Sequence, residues 1–300
     1  FMPNWSYALP SGGQVVTNNG TITAGGKVMD ITGSGNVAID WNSFNIAADE
    51  IVNFKNMQAV LNYVSGGRKS EIFGKLNGAG VNVFLVNPNG ILFGKTAQVN
   101  VGQLTASTRS LEKADLNSFN GSLSPLDTGG AANVKADIIN LGKLKAGKLV
   151  LEGNNLSIID AESLEVTDKS KITLRAGENI NIGYEVTDKT TIDVGDGKGN
   201  THQVSDYGKG GGDKASDVLS TASVTDLKGS AKSINDAMLV HDVYELQAID
   251  RNTGTINGSS YVVGNYMLAG DIDVGCVVGA GHLGRSRQRK VGKRGEQQSG

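Results

Sequence analysis

The residues that could carry chemistry in this sequence are few and far apart. The three histidines are His202, His241 and His282, and no HExxH pattern, zinc-site spacing or nucleophile elbow accompanies them. Cys276 is the only cysteine, which excludes an internal disulfide. We therefore expect no catalytic residue, no metal site and no cofactor.

Acidic residues offer the main alternative to this interpretation. Asp160, Glu162 and Glu165 form the densest acidic group between two apolar repeats. Some parallel β-helices are polysaccharide lyases and hydrolases, so a β-helical carbohydrate-active enzyme is an alternative that only the fold would support. Its site would need paired carboxylates, and we interpret this acidic group as a solvated surface. Asp193 and Asp196 could bind calcium, but no EF-hand loop or calcium-binding nonapeptide repeat surrounds them.

The composition is typical of an all-β chain with many turns. The chain has 42 Gly and 4 Pro, and polar turn residues separate short β-branched runs. The formal net charge is −2, so we expect no nucleic-acid partner. The end of the chain differs, because six Lys and Arg side chains there face only Glu296. A lone basic run of this kind predicts a solvated tail.

Apolar pairs recur along the chain with a short period. Pairs begin at Val83, Ile91 and Val99, each 8 residues after the last, and the same spacing returns between Leu156 and Ile182. The two members of an i, i+2 pair face the same side of a β-strand. Three such strands make a coil of about 24 residues, a size typical of solenoid repeats. A β-sandwich or an up-and-down barrel would need longer strands.

Three segments depart from this period. Residues 48–64 carry apolar side chains at spacings of three and four, which predicts a short amphipathic turn or helix. Residues 195–229 are rich in Gly, Asp, Lys and Ser and predict a long loop or excursion. Ser230 or Ser233 could cap a helix that extends to Ile249.

Three stretches of sequence resemble a known family. Trp41–Ile46 reads WNSFNI, Val83–Gly94 reads VFLVNPNGILFG, and Ala97–Thr108 reads AQVNVGQLTAST. Together they resemble the haemagglutination-activity, or two-partner-secretion, domain of filamentous-haemagglutinin-like exoproteins. The resemblance extends roughly from Leu9 to Glu185.

The resemblance implies a fold, a partner and a location. The fold would be a right-handed parallel β-helix (a solenoid) with an N-terminal cap and small extra-helical elements. The POTRA domains of a dedicated outer-membrane transporter would recognise the chain in the periplasm, and the chain would fold outside the cell. It would then be secreted or displayed on the surface of a Gram-negative bacterium, and we expect a monomer.

Members of the family differ in what they finally do. They include adhesins, haemolysins, haem-binding proteins and carriers of contact-dependent toxins. A host-cell receptor or glycan would be bound by more distal regions of the exported protein. A haem-binding protein or a toxin carrier on the same scaffold therefore remains an alternative to an adhesin.

The resemblance and the departures from the period together divide the chain into five parts. These are the tail of a removed signal peptide at 1–8, the two-partner-secretion domain at 9–194, the loop or excursion at 195–229, a short helix with the start of further adhesin-type β-helix at 230–275, and an irregular basic tail at 276–300.

Asn87-Pro88-Asn89-Gly90 is the first candidate site, and it leads directly into Ile91. Pro88 fixes φ at the second position of a turn, Asn89 and Gly90 tolerate positive φ, and Asn87 can bond to the backbone two residues on. Two interpretations are open. The motif is either a purely structural turn, or a turn that also helps the transporter recognise the chain or nucleates the fold.

Trp41, Phe44 and Asn45 form the second candidate motif. We expect them to cover the end or flank of the β-helix, where exposed strand edges would otherwise be open to pairing. Stacking of a ligand on the two rings is the alternative.

Overall fold

The computed structural model describes residues 9–124, 133–194, 198–249, 253–256, 259–262, 264–270 and 272. The signal-peptide prediction for residues 1–8 and the prediction of a basic tail at 276–300 lie outside this part of the chain. Cys276 and His282 lie outside it as well.

The described residues form short strands and three short helices. The helices are α1 (Lys113–Asn117), α2 (Ala215–Val218) and α3 (Val243–Ile249), and a 3₁₀ turn spans Lys169–Lys171. Within the described ranges, no helix has the length and apolar character needed to span a membrane. The strands are β1 (Gln14–Val15), β2 (Gly20–Gly25), β3 (Val28–Gly33), β4 (Asn36–Trp41), β5 (Ile51–Lys55), β6 (Ala59–Val64), β7 (Ser70–Ile72), β8 (Lys75–Val86), β9 (Ile91–Phe93), β10 (Gln98–Ser107), β11 (Ile138–Asn140), β12 (Lys143–Ala146), β13 (Leu149–Gly153), β14 (Leu156–Ile158), β15 (Leu164–Glu165), β16 (Ile172–Ala176), β17 (Ile180–Tyr184), β18 (Lys189–Asp193), β19 (Thr201–Ser205), β20 (Ser223–Thr225), β21 (Asn235–Val240), β22 (Thr253–Ile256), β23 (Ser259–Val262) and β24 (Tyr266–Leu268).

Parallel pairing joins most strands into three ladders. The first ladder is β4–β6–β8–β10–β13–β16–β20, and the third is β7–β9–β11–β14–β17–β21–β24. The second ladder is β3–β5–β8–β10–β12–β15. The long strands β8 and β10 belong to both the first and the second ladder. A register shift between Val101 and Gln103 divides β10 into one half that pairs in each ladder. The predicted chain of mostly β structure with parallel pairing is therefore confirmed.

The register of the ladders follows the period of the sequence. Val37 pairs with Val60, and Val60 pairs with Val83, so one step of the first ladder covers 23 residues. Leu149 pairs with Ile172 by the same step. All these side chains are buried in one apolar core, where each lies over a similar residue of the next strand. This burial is the main favourable term for the fold.

Antiparallel strands cover the N-terminal edge of the first two ladders. β1 pairs antiparallel with β4, and β2 pairs antiparallel with β3. Both β4 and β3 would otherwise present unpaired N–H and C=O groups at the edge of a sheet.

The helix predicted within residues 48–64 is wrong. This segment forms β5 and β6, which pair in parallel with β3 and β4. In β6, Val60 and Val64 face the main core, whereas Leu61 lies in a second apolar cluster on the opposite face. Because both faces of the strand are buried, its apolar residues do not alternate, and their spacing imitates that of a helix.

Residues 195–249 contain more strands than the sequence predicts. The described part of the predicted loop or excursion contains β19, which pairs antiparallel with β18 outside the three ladders, and β20, which rejoins the first ladder. The helix placed after Ser230 begins only at Val243, because Asn235–Val240 is the strand β21. Ala237 to Val240 are all buried, so this strand also lacks the alternation that would identify it.

Candidate functional site

The Asn-Pro-Asn-Gly turn lies where the chain passes from the first ladder to the third. Its first residue, Asn87, is fully buried, and Pro88 is half-buried. Asn87 Nδ2 donates to the carbonyl of Arg68 and to Oγ of Ser70, both at 3.0 Å. Asn87 Oδ1 accepts the backbone N–H of Asn89 at 2.9 Å, the bond expected of an Asx turn. Both ends of the Asn87 amide are therefore engaged within the protein.

The rest of the turn is fixed by its backbone and by one exposed side chain. The N–H of Gly90 donates to the carbonyl of Asn87 at 3.1 Å and closes the turn. The φ of Gly90 is 108°, so the positive φ falls on this glycine and not on Asn89. Asn89 is exposed, but its Nδ2 donates to the carbonyl of Gly66 at 2.8 Å. Ile91 then begins β9 and is buried in the core.

The two candidate motifs lie at the same corner of the fold, in neighbouring layers. A Cβ atom at Gly66 would lie 1.8 Å from the carbonyl oxygen of Asn42, and Asn89 bonds the carbonyl of the same glycine. On the earlier layer, Oδ1 of Asn45 accepts the N–H of Glu71 at 2.9 Å. The side chains of Asn45 and Asn89 thus each bond to the backbone of the segment 66–71 and connect neighbouring layers at this corner.

Trp41 and Phe44 lie inside the main core. Their rings meet edge to face, with centroids 5.5 Å apart, and each residue is 1% exposed. Trp41 Nε1 donates to Oδ1 of the buried Asn62 at 3.1 Å, and Gly13 of the N-terminal segment lies against the indole. Neither ring presents a face to solvent, so the geometry does not favour ligand stacking.

One buried charge pair was not identified from the sequence. Arg109 and Glu152 form a two-pronged ion pair on the outer face of the first ladder, with the carboxylate 1% exposed. The two residues are far apart in sequence and lie outside any motif, so no local signal marks them.

A second polar network surrounds Glu245 beside the β18–β19 hairpin. Its carboxylate accepts Oγ–H of Ser205 at 2.7 Å, the Tyr207 hydroxyl at 3.1 Å and the N–H of His241 at 2.9 Å. His241 Nδ1 also lies 2.9 Å from Glu245 Oε2, and its Nε2 lies 3.0 Å from Oε1 of Glu185. The network links the hairpin and α3 to the third ladder.

The network shifts the ionisation of its members. Burial opposes the charged form of Glu245, but hydrogen bonds from Ser205 and His241 outweigh it and lower the pKa of Glu245 to about 2. Burial also opposes the charged form of His241, yet its contacts with Glu245 and Glu185 raise its pKa above the usual value. Burial, together with the nearby carboxylate, raises the pKa of Tyr207.

The acidic group Asp160, Glu162 and Glu165 has ordinary structural contacts. Asp160 Oδ1 accepts the N–H of Ser163 at 2.5 Å, and Glu165 lies 3.5 Å from Nζ of Lys143. Among the residues that the structure describes, no three His, Cys, Asp or Glu side chains are grouped to hold a metal ion. Asp160 and Glu162 also line a cavity together with Glu185 and Asp213, so a carbohydrate-active enzyme stays an alternative that the geometry does not test.

Comparison with known proteins identifies the family. The model of the TPS (two-partner) secretion domain matches residues 6–272. The chain belongs to the TPS secretion domain family. Domains of this family are parts of exported Gram-negative proteins and imply an outer-membrane transporter as partner. The chain is thus a secreted or cell-surface protein, as expected from the resemblance.

Two curated relatives of this TPS domain come from Haemophilus influenzae, and both are described as heme/hemopexin-binding protein. One is 34% identical over 177 residues, which is 57% of this chain and 19% of the relative. The other is 41% identical over 99 residues, or 32% of this chain and 11% of the relative. The chain thus spans a fifth or less of their lengths. The TPS secretion domain family is not an enzyme family, and these two relatives are not members of enzyme families.

A solved structure is also similar to part of the chain. It is the secretion domain of HMW1 from Haemophilus influenzae, with 24% sequence identity and a TM-score of 0.37. The match covers 59% of this chain and 43% of that one.

Proposed function

We propose that the chain is a right-handed parallel β-helix that directs the export of a larger adhesin-type protein. In this proposal the POTRA domains of a dedicated outer-membrane transporter bind the chain in the periplasm, and the chain folds after it has crossed. Membership of the TPS family supports the export role. The three parallel ladders, with steps of 23 residues in their regular part, support the β-helix.

The match of the TPS secretion domain to residues 6–272 carries the proposal, and the way the Asn-Pro-Asn-Gly turn is built into the fold limits when a transporter can recognise it. Asn87 is buried, and both ends of its amide are bonded within the protein. In the folded protein it has no group left for a partner. A transporter can therefore read Asn87 only before the turn forms. We therefore propose that the transporter recognises Asn87 in the unfolded chain. In the folded chain, the bonds of Asn87 stabilise the turn.

The register of the ladders suits folding outside the cell. In the regular part, each strand pairs with a strand about one coil earlier in the sequence, so the contacts form one layer at a time. A chain that emerges progressively could add each new strand to an edge that is already folded. Burial of apolar side chains at each addition would then favour movement of the chain out of the transporter.

The test compares the export of wild type, Asn87→Ala and the control Asn140→Ala in cells with and without the cognate transporter. Asn140 is a matched control because it is also fully buried and lies outside the Asn-Pro-Asn-Gly motif. Its Nδ2 donates to Oγ of Ser163 at 3.0 Å, and its Oδ1 accepts the N–H of Gly142 at 3.3 Å, which is the bonding pattern of Asn87. We expect transporter-dependent export that falls several-fold in Asn87→Ala and remains near wild type in Asn140→Ala.

Three outcomes would contradict the proposal in different ways. Export of the wild-type chain without the transporter would exclude the two-partner function. Normal export of Asn87→Ala would leave the turn a purely structural element. An equal loss in both variants would show that export follows general stability, so circular dichroism of the purified variants must accompany the assay.

The binding activity of the complete exported protein is proposed to lie outside this segment. The relatives named for binding heme and hemopexin are matched over 19% and 11% of their lengths only. Haem titration of the chain followed by visible absorption tests this directly. A Soret shift that saturates at one equivalent would instead assign haem binding to this segment.

A further inference from the structure

The outer face of the first ladder carries an apolar surface that one segment of the chain covers. Leu61 and Phe84 point outward from β6 and β8, away from the main core. Residues 110–124, here called the cover segment, pack Leu116 and Phe119 onto this surface. The rings of Phe84 and Phe119 meet edge to face with centroids 5.4 Å apart.

A single arginine is bonded to the cover segment across its length. Arg109 precedes the segment directly, and its Nη1 donates to the carbonyl of Ser124, 15 residues further on, at 2.6 Å. The remaining donors of the guanidinium go to Glu152, with Nε to Oε1 at 2.7 Å and Nη2 to Oε2 at 2.8 Å. Such paired, charge-assisted bonds are stronger and more directional than neutral ones.

The carboxylate of this pair belongs to a later layer of the fold. Ser107 at the end of β10 pairs with Glu152 of β13, and its Oγ donates to Glu152 Oε1 at 2.7 Å. Arg175 of the next strand lies 3.5 Å from Glu152 on the other side. Arg109 therefore meets its carboxylate only when β13 has joined the first ladder.

We infer that Arg109 and Glu152 form a latch that closes the cover segment over the apolar face of β6 and β8 only after β13 has been added. Until then the face formed by Leu61 and Phe84 is open, and the arginine lacks the carboxylate it needs for burial. Burying an arginine without its partner is strongly unfavourable, so closure and the addition of β13 are coupled. This inference goes beyond the export function and does not depend on the transporter.

Hydrogen exchange of the full chain tests the latch in the folded protein. In Glu152→Gln, we expect the amides of the cover segment to exchange at least about tenfold faster than in wild type. The amides of β8 and β16 should keep their protection. Glu165→Gln is the control, because Glu165 makes only an exposed contact with Lys143 at 3.5 Å. Unchanged exchange of the cover, or equal acceleration across all ladders, would overturn the inference.

Refolding of the wild-type chain supplies a test that needs no variant. Pulse labelling during refolding from urea reports when each segment becomes protected. We expect the amides of the cover segment to become protected together with those of β13 or later, and after those of β6 and β8. Protection of the cover before β13 would show that it closes without the latch and would refute the coupling.

Discussion

Replacement of Asn87 by alanine gives the clearest estimate of what the Asn-Pro-Asn-Gly turn contributes to stability. The change removes two bonds donated by Nδ2 to Arg68 and Ser70 and one accepted by Oδ1 from Asn89. Each intramolecular hydrogen bond contributes about 0.5–1.5 kcal/mol net, and buried groups that lose a partner cost more. We therefore expect the free energy of unfolding to fall by about 2–4 kcal/mol.

The matched variant is Asn89→Ala, at an exposed position of the same turn. It removes the bond from Nδ2 to Gly66 and a longer contact with Asn87. The expected loss is about 0.5–1 kcal/mol, because water can replace these bonds. Urea titrations of wild type and both variants, followed by circular dichroism, measure the difference through their midpoints. Equal midpoints for the two variants would refute the argument that the burial of Asn87 makes it the anchor of the turn.

Three further predictions follow from other parts of the structure. Because the pKa of Glu245 is lowered from 4.5 to about 2, its stabilisation is present above pH 4.5 and lost as pH falls towards 2. The raised pKa of His241 acts in the opposite direction, so its contribution is full below pH 6.5 and lost as pH rises through the folded-state pKa. Hydrogen exchange of the β18–β19 hairpin against pH should therefore show the strongest protection between these limits, and flat protection from pH 3 to 9 would contradict it. Gly66→Ala should lower the free energy of unfolding by more than about 2 kcal/mol, because its Cβ would meet a backbone carbonyl at 1.8 Å, whereas Gly67→Ala, with open space around it, should change it by less than about 0.5 kcal/mol in urea titrations. Trp41→Phe should cost about 1–3 kcal/mol by the same measurement, since it leaves a buried asparagine oxygen without its donor, and a loss within error would show that the bond is unimportant.

The sequence was sufficient where side chains alternate and turns carry local signals. Both members of the pairs that begin at Val83 and Ile91 are buried in the core. In the ladders, Val83 pairs with Val60 and Ile91 pairs with Ser70, so the predicted inward faces of the strands are aligned. Asn87 bonds to the backbone two residues on because this contact depends only on neighbours in the sequence. Both features are local, so their physics can be read from short windows.

The sequence was insufficient where a segment is buried on both faces. β6 lost its alternation because Leu61 packs under the cover segment, and β21 lost it because Ala237 to Val240 are all buried. The sequence of β6 does not indicate that a second element will cover it, because the cover segment lies in a distant part of the chain. The same holds for Arg109 and Glu152, whose pairing depends on the register between β10 and β13.

The most direct test of the export function is to measure where the full chain accumulates in Gram-negative cells that contain or lack the cognate outer-membrane transporter. We predict folded chain in the medium or at the cell surface only when the transporter is present, and chain retained in the cell when it is absent. Equal export in both strains would contradict the claim that this domain directs secretion. Retention of the chain in both strains would contradict it as well, provided that the transporter exports another established substrate in the same cells.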